Sequence, residues 1–237
     1  MGKNNVYYNY CFSVFSCNSS IKFFNSHIFM YLYFLGESGF KIKTERATIV
    51  IDPPHKNTGL SQSALSADII VVSHASQTDV GRVTESEKDA RPFIINAPGE
   101  YETRGVFLYA FQGKNDTVLS LIKADNLSIA HLAGISEILD DKTLELFEGA
   151  EIALVPVGGN GVLSPKLADQ VISQIEPHIV IPMNFAIPKL TIARESVDTF
   201  LSEMGAKGLQ AESSLYITKE KLPHEETKVV LLQVKVL

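Results

Sequence analysis

The sequence predicts an α/β protein built as a four-layer αββα sandwich, with two sheets packed face to face and helices outside. Three observations predict it. Short β-branched and aromatic runs fill the first half of the body, helical spacing begins only beyond residue 135, and strand and helix then alternate in β-α-β order. Polar loops leave the strand ends, where chemistry is commonly carried.

The elements follow in order. Tyr31 to Leu35, Phe40 to Thr44 and Ala47 to Ile51 form a meander, separated by Gly36-Glu37-Ser38-Gly39 and Glu45-Arg46 and stopped at Asp52-Pro53-Pro54. Ala67 to Val72 is an apolar run typical of a buried strand. Pro92 to Ala97, Glu100 to Gln112, Thr117 to Ala124 and Leu127 to Leu132 continue the β pattern. Helices are expected at Asp140 to Phe147, at Pro165 to Ile175 with Ser164 as N-cap and Pro165 at the first position, and at Arg194 to Met204. Glu151 to Val157 and His178 to Met183 bracket the second helix as strands, and Val229 to Val236 closes the chain as another.

With 237 residues and 45% apolar content the chain can bury a full core. Its net charge of -6 leaves no general basic surplus for neutralising phosphates, so no nucleic-acid partner is expected, although a local basic patch is compatible with that total. Cys11 and Cys17 both precede the body, which therefore has neither a disulfide framework nor thiolate metal ligands; a reducing cytoplasm fits. Residues 1–29 contain no acidic residue and are crowded with Asn, Tyr, Phe and Ser. Their apolar stretches are shorter than the roughly 20 residues of a membrane span, and the polar run behind Lys3 makes a poor signal peptide despite Val14-Phe15-Ser16-Cys17. The expectation is a poorly ordered N-terminal extension, or upstream sequence translated ahead of a start at Met30, followed by one domain over 30–237. No membrane association is expected.

The loop after Ala67 to Val72 reads Ser73-His74-Ala75-Ser76-Gln77-Thr78-Asp79. A loop spelled His-x-His-x-Asp-His there would bring three imidazoles and a carboxylate together, most of a two-metal hydrolytic site. Only His74 keeps that character, because hydroxyls at 76 and 78 are poor zinc ligands. Asp79 is the best second donor, and Asp52 and Glu37 would complete an oxygen-rich cluster better suited to Mg or Mn.

The chain resembles the metallo-β-lactamase fold, in particular its small single-domain bacterial zinc-dependent hydrolases, over about Met30 to Val236. The resemblance is carried by Tyr33-Phe34-Leu35-Gly36-Glu37-Ser38, Thr48-Ile49-Val50-Ile51-Asp52-Pro53, Ala67-Asp68 through Ser73-His74 and Pro98-Gly99-Glu100-Tyr101-Glu102. Ile129-Ala130-His131-Leu132, Val155-Pro156-Val157-Gly158-Gly159 and Glu176-Pro177-His178-Ile179-Val180-Ile181-Pro182-Met183 extend it. It implies the four-layer fold and a metal-dependent hydrolase. At the positions that the family would use for metal, however, this chain has His74, Ser76, Thr78, Asp79, Gly134 and Asn184, a degenerate set in which Gly134 replaces a bridging Asp and Asn184 a His. The family's Gly-His-Ser reads Gly36-Glu37-Ser38.

The expected function is accordingly a divergent, non-catalytic member of the fold that retains a polar cleft for a small-molecule ligand, lined by Glu37, Asp52 and His131 around the remnant positions, with no cofactor. The alternative is a metal-dependent hydrolase of an ester, lactone or phosphodiester, holding zinc or another divalent metal at His74 and Asp79. A third reading takes Ser76 or Ser38 as nucleophile. His131 is expected as a structural histidine, and Gly158-Gly159-Asn160-Gly161 as a strand-to-helix turn. Oligomeric state is left open.

Overall fold

The computed structural model describes residues 29–60, 64–75, 78–85 and 91–235. The N-terminal extension, Cys11, Cys17, Ser76 and Val236 lie outside the described residues. Chain order begins with β1 (Met30–Gly36), β2 (Gly39–Lys43), β3 (Thr48–Ile51), β4 (Leu65–Ala67), β5 (Ile69–Val71), β6 (Val83–Glu85) and β7 (Phe93–Ile95). It continues through β8 (Gly99–Thr103), β9 (Val106–Gln112), β10 (Val118–Ala124), β11 (Leu127–His131), α1 (Asp141–Glu145), β12 (Ile152–Pro156), α2 (Pro165–Ile175), β13 (Ile179–Met183), α3 (Val197–Glu203), β14 (Leu215–Ile217) and β15 (Lys228–Val229).

Two sheets result. The first has the order β14-β1-β2-β3-β5-β7 and the second β15-β13-β12-β11-β10-β9-β8. Alternation decides which faces meet: in β1 the residues Met30, Leu32 and Phe34 are fully buried while Tyr31 and Tyr33 between them are not. β12 and β13 are apolar on both faces, because the first sheet covers one side and helices the other. α2 lies against β12 and α3 against α2. Ser164 accepts from the backbone N–H of Leu167 and Pro165 opens the helix, so α2 has the bounds that its sequence predicts. On the first sheet, a small parallel pair, β4 and β6, covers Leu35, Val50, Ile70 and Val72. The architecture is the αββα sandwich.

Some elements differ from expectation. The run Glu100 to Gln112 is a hairpin, β8 and β9, turned at Arg104 and Gly105, whose φ values of 52° and 74° suit a tight strand reversal. The final strand is split, because the chain leaves the second sheet after Val229, bridges Glu212 at Leu232 and then reaches the first sheet at Phe34 through Val234. The third helix starts later than expected, at Val197 behind the Ser196 cap, since Arg194 and Glu195 are engaged elsewhere. No helix among the described residues is long and apolar enough to cross a membrane.

Because the two sheets share one core, a deletion at its centre must be felt globally. Ile181→Ala, at a fully buried position of β13, should lower unfolding free energy by about 2–5 kcal/mol in urea denaturation, whereas Ser164→Ala should cost about 1 kcal/mol.

Candidate active site

Four strand ends and turns deliver the polar residues to one place. Glu37 and Ser38 form the β1–β2 turn, Asp52 follows β3, Ser73 and His74 follow β5, and Asn184 follows β13. Glu37, Asp52, Ala133 and Asn184 all have left-handed backbone, with φ between 40° and 53°. None is a glycine. Non-glycine residues avoid this region, and clusters of them gather where a site over-determines the backbone.

Two networks fill the site. In one, Glu37 is bonded by the Asn184 side-chain amide at 2.6 Å and by Nη2 and Nε of Arg194 at 3.1 and 3.4 Å. The Arg194 Nη1 group donates to the carbonyls of Asn160 at 2.9 Å and Gly159 at 3.3 Å. Both side chains of the ion pair are about 5% exposed. Backbone bonds reinforce it, since Asn184 N–H donates to the Glu37 carbonyl and Glu195 N–H to that of Gly158. Gly158 is needed for closeness: a Cβ there would lie 1.9 Å from the Asn184 carbonyl oxygen.

The other network centres on Asp52. Its carboxylate accepts from Ser38 Oγ at 2.7 Å, from Ser73 N–H at 2.7 Å and from Ser73 Oγ in a short bond, and Thr78 Oγ1 lies 3.2 Å away while donating to the His74 carbonyl. Ser73 Oγ is also 3.1 Å from His74 Nδ1. A carboxylate only accepts, so the Ser73 proton points to Asp52, and Ser73 Oγ is left to accept from His74 Nδ1–H. The other nitrogen, Nε2, then carries a free lone pair. It faces Gly134, where an added Cβ would stand 3.0 Å from it. Gly134 in turn borders a cavity of about 440 Å³, whose other walls include Lys114, Thr117, Leu119, Ile135, Ile138 and Asp140.

His131 belongs to the structure beneath. It is fully buried at the end of β11, its Nε2–H donates to the Ser38 carbonyl at 2.9 Å, and Phe40 packs edge-on against its ring. Burial holds its pKa below the ordinary histidine value, opposed by the Asp52 charge and the Ser38 carbonyl and assisted by His74. His131 Nδ1, Asn184 Oδ1 and Ser120 Oγ are buried without a protein partner, and Ser120 sits opposite His131 across β10 and β11.

The expectation that Glu37, Asp52 and His131 line an open cleft is corrected here, as is the same expectation for Asn184. All four are at most 4% exposed and lie below its floor, drawn inward by the hydrogen bonds that their charge and polarity demand. His74, Thr78 and Asp79 are half-buried at the surface of the site. Asp79 heads a short 3-10 turn with its backbone N–H on the Pro53 carbonyl, and its side chain makes no cap bond there. Arg194 and Ser73, the residues that hold Glu37 and His74, are absent from the sequence-based site, since an isolated Arg or Ser in a loop carries no motif.

The donors fit a metal centre poorly. Among the described residues no three His, Cys, Asp or Glu side chains gather as ligands for an ion. Asp52 is saturated by hydroxyl and amide donors, Gly134 offers no side chain, and the Arg194 guanidinium beside Glu37 and Asn184 would repel a dication.

Comparison with known proteins places these features in a family. Residues 31–184 match the beta-lactamase superfamily domain. The chain is similar to a UPF0173 metal-dependent hydrolase of Thermococcus kodakarensis, 26% identical over 187 residues, 64% of this chain and 83% of the relative. A UPF0173 metal-dependent hydrolase of Lysinibacillus sphaericus is 25% identical over 193 residues, 66% of this chain and 85% of the relative. A Thermotoga maritima structure, named as a Zn-dependent hydrolase of the metallo-beta-lactamase superfamily, aligns with TM-score 0.71 and 23% identity over 86% of this chain and 98% of that one. Igni18, a metallo hydrolase from Ignicoccus hospitalis, aligns with TM-score 0.59 and 16% identity over 80% of this chain and 98% of its own.

Two outcomes test the site's energetics. Arg194→Met should cost about 3–5 kcal/mol in unfolding, because it strands the Glu37 charge, and the double variant Glu37→Gln, Arg194→Met should be less unstable than Arg194→Met alone. For His131, the folded state disfavours the proton that the unfolded chain accepts near pH 6.5, so this residue's contribution to stability is complete above that value and declines as pH falls below it. Urea midpoints measured downward from pH 7.5 should show that decline, and His131→Gln should flatten it.

Proposed function

We propose, for a chain that belongs to the beta-lactamase superfamily, a hydrolytic function on a carboxylic ester or lactone, with His74 as general base instead of a two-metal centre. The relatives' names, metal-dependent hydrolases, support hydrolysis and lend no support to a non-catalytic scaffold. They also imply a divalent metal in those proteins. The donor set of this chain does not fit one.

The observation that carries the reading is the Asp52–Ser73–His74 relay, whose Nε2 is turned to Gly134, a residue that itself borders a cavity of small-molecule size. In the reaction, His74 Nε2 takes a proton from water as the water oxygen attacks the carbonyl carbon. The new C–O bond forms, the C=O π pair moves onto oxygen, and collapse expels the alkoxide, which takes the proton back from Nε2. Ser73 keeps the imidazole in the correct tautomer and orientation. The Asp52 carboxylate stabilises the transient imidazolium through the Ser73 hydroxyl.

A second reading, in which the cleft binds without turning over, is favoured by the buried Arg194–Glu37–Asn184 group, which resembles a structural pin more than a reactive centre. Assay of the purified full chain against a panel of esters and lactones, together with its metal content, separates the two. The expectation is measurable hydrolysis at low metal content, reduced about 10²- to 10⁴-fold by His74→Ala, the range typical of a general base. Ser73→Ala should lower kcat with little change in KM. Hydrolysis at background level would favour the binding reading, and stoichiometric zinc lost with His74→Ala would replace the general base by a metal site.

A further inference from the structure

Outside the active site, the outer face of the first sheet carries a second constellation. β-pairing sets Tyr31 between Tyr216 and Lys43, and Tyr33 beside Lys41, all on the face turned away from the core. Lys235, whose backbone N–H donates to the Phe34 carbonyl, lays its ammonium 3.6 Å from the Tyr33 ring centre, and Lys221 lies 4.2 Å from that of Tyr216. Tyr31 meets Tyr216 at 5.1 Å and Phe29 at 5.6 Å. Phe29 and Tyr216 are about 40% exposed.

Among the described residues, the lysines of this face, Lys41, Lys43, Lys221 and Lys235, stand outside the ion pairs. Lys41 and Lys235 have pKa values lowered by burial and then by neighbouring lysines, with no carboxylate acting against the shift. In a chain with 27 acidic and 21 basic residues, Lys41, Lys43 and Lys235, close enough to depress one another's pKa values, form a local reversal of the overall charge. The β4–β6 pair covers the neighbouring part of the sheet and leaves these residues out of its cluster.

We propose that this face binds single-stranded nucleic acid. Lys43 and Lys221 are exposed and Lys235 half-buried on this face, while Lys41, buried at 9% exposure, adds to its positive field from within. The three neighbouring strands β14, β1 and β2 span about 10 Å, enough for one or two nucleotides. Ammonium groups supply phosphate contacts, and the exposed aromatics give unpaired bases apolar, π-rich surface, the combination that suits a single strand better than a duplex. An anionic membrane would be drawn by the same lysines, but the face is a flat sheet with interlocked rings and no apolar helix to insert.

Anisotropy of a labelled thymidine oligonucleotide with the full chain tests this. Binding should weaken between about 50 and 200 mM salt with a log–log slope near −2 to −3, as expected for three or four phosphate contacts on a single strand. Lys43→Gln with Lys221→Gln, both exposed, should make the slope shallower by about 1.4 and leave the melting temperature unchanged. Lys235→Gln alone should make it shallower by about 0.7. Ester hydrolysis should be unaffected by the Lys43 and Lys221 substitutions, which separates this proposal from the one above. Absence of binding at the lowest salt, a slope unchanged by the substitutions, equal affinity for duplex of the same length, or binding to phosphatidylserine vesicles but not to the oligonucleotide would each overturn it.

Discussion

The buried ion pair between Arg194 and Glu37 is the interaction on which the site's architecture depends. It joins the β1–β2 turn of the first sheet to the loop after β12 and, through Asn184, to the end of β13 in the second. A charged pair removed from water is weak evidence of net stability, because desolvation offsets most of the Coulomb attraction. Its effect is on geometry. With every guanidinium nitrogen directed at an oxygen and Asn184 adding a further donor to Glu37, the three segments have one arrangement that leaves no charge unpaired.

Asp52 plays a corresponding part on the other side. Its carboxylate is fixed by Ser38 and Ser73, and Ser38 is in turn held by His131 from the second sheet. The chain Asp52–Ser38–His131 is a polar tie across an apolar interface, and Phe40 packs on its imidazole. Left-handed backbone at Glu37, Asp52 and Asn184 is the conformational cost of aiming these groups inward. Such strain is of order 1–3 kcal/mol per residue and persists only where surrounding bonds hold it. The two networks supply those bonds.

Much of this was legible in the sequence. Strands were visible because core and surface residues alternate, as in Met30 to Tyr33, and α2 because Ser164 and Pro165 mark its start. Glu37, Asp52, His74 and Asn184 could be named because polar residues at the ends of apolar runs stand out. Their burial could not, since periodicity ends where the strand ends and says nothing of partners far along the chain. Arg194 lies 157 residues from Glu37, and a lone arginine before a helix reads as helix. β14 was missed for a related reason: only three residues long, its Leu-Tyr-Ile alternation lies among polar turns and is completed by pairing with β1.

The replacement of metal donors by a guanidinium pin has a chemical consequence. A divalent ion both cross-links its ligands and acidifies a bound water, whereas an arginine paired to Glu37 can only cross-link. Structure and reactivity are therefore divided in this chain between two groups. Arg194 keeps the turns together, and in the proposed reaction proton transfer falls to His74, the half-buried imidazole that Ser73 orients. The absence of a side chain at Gly134 is consistent with that division: a carboxylate there would occupy the space that His74 Nε2 faces and would compete with its lone pair for a proton. Without it, the space between the imidazole and Gly134 stays open, and the proposed proton transfer depends on how firmly Ser73 holds the ring.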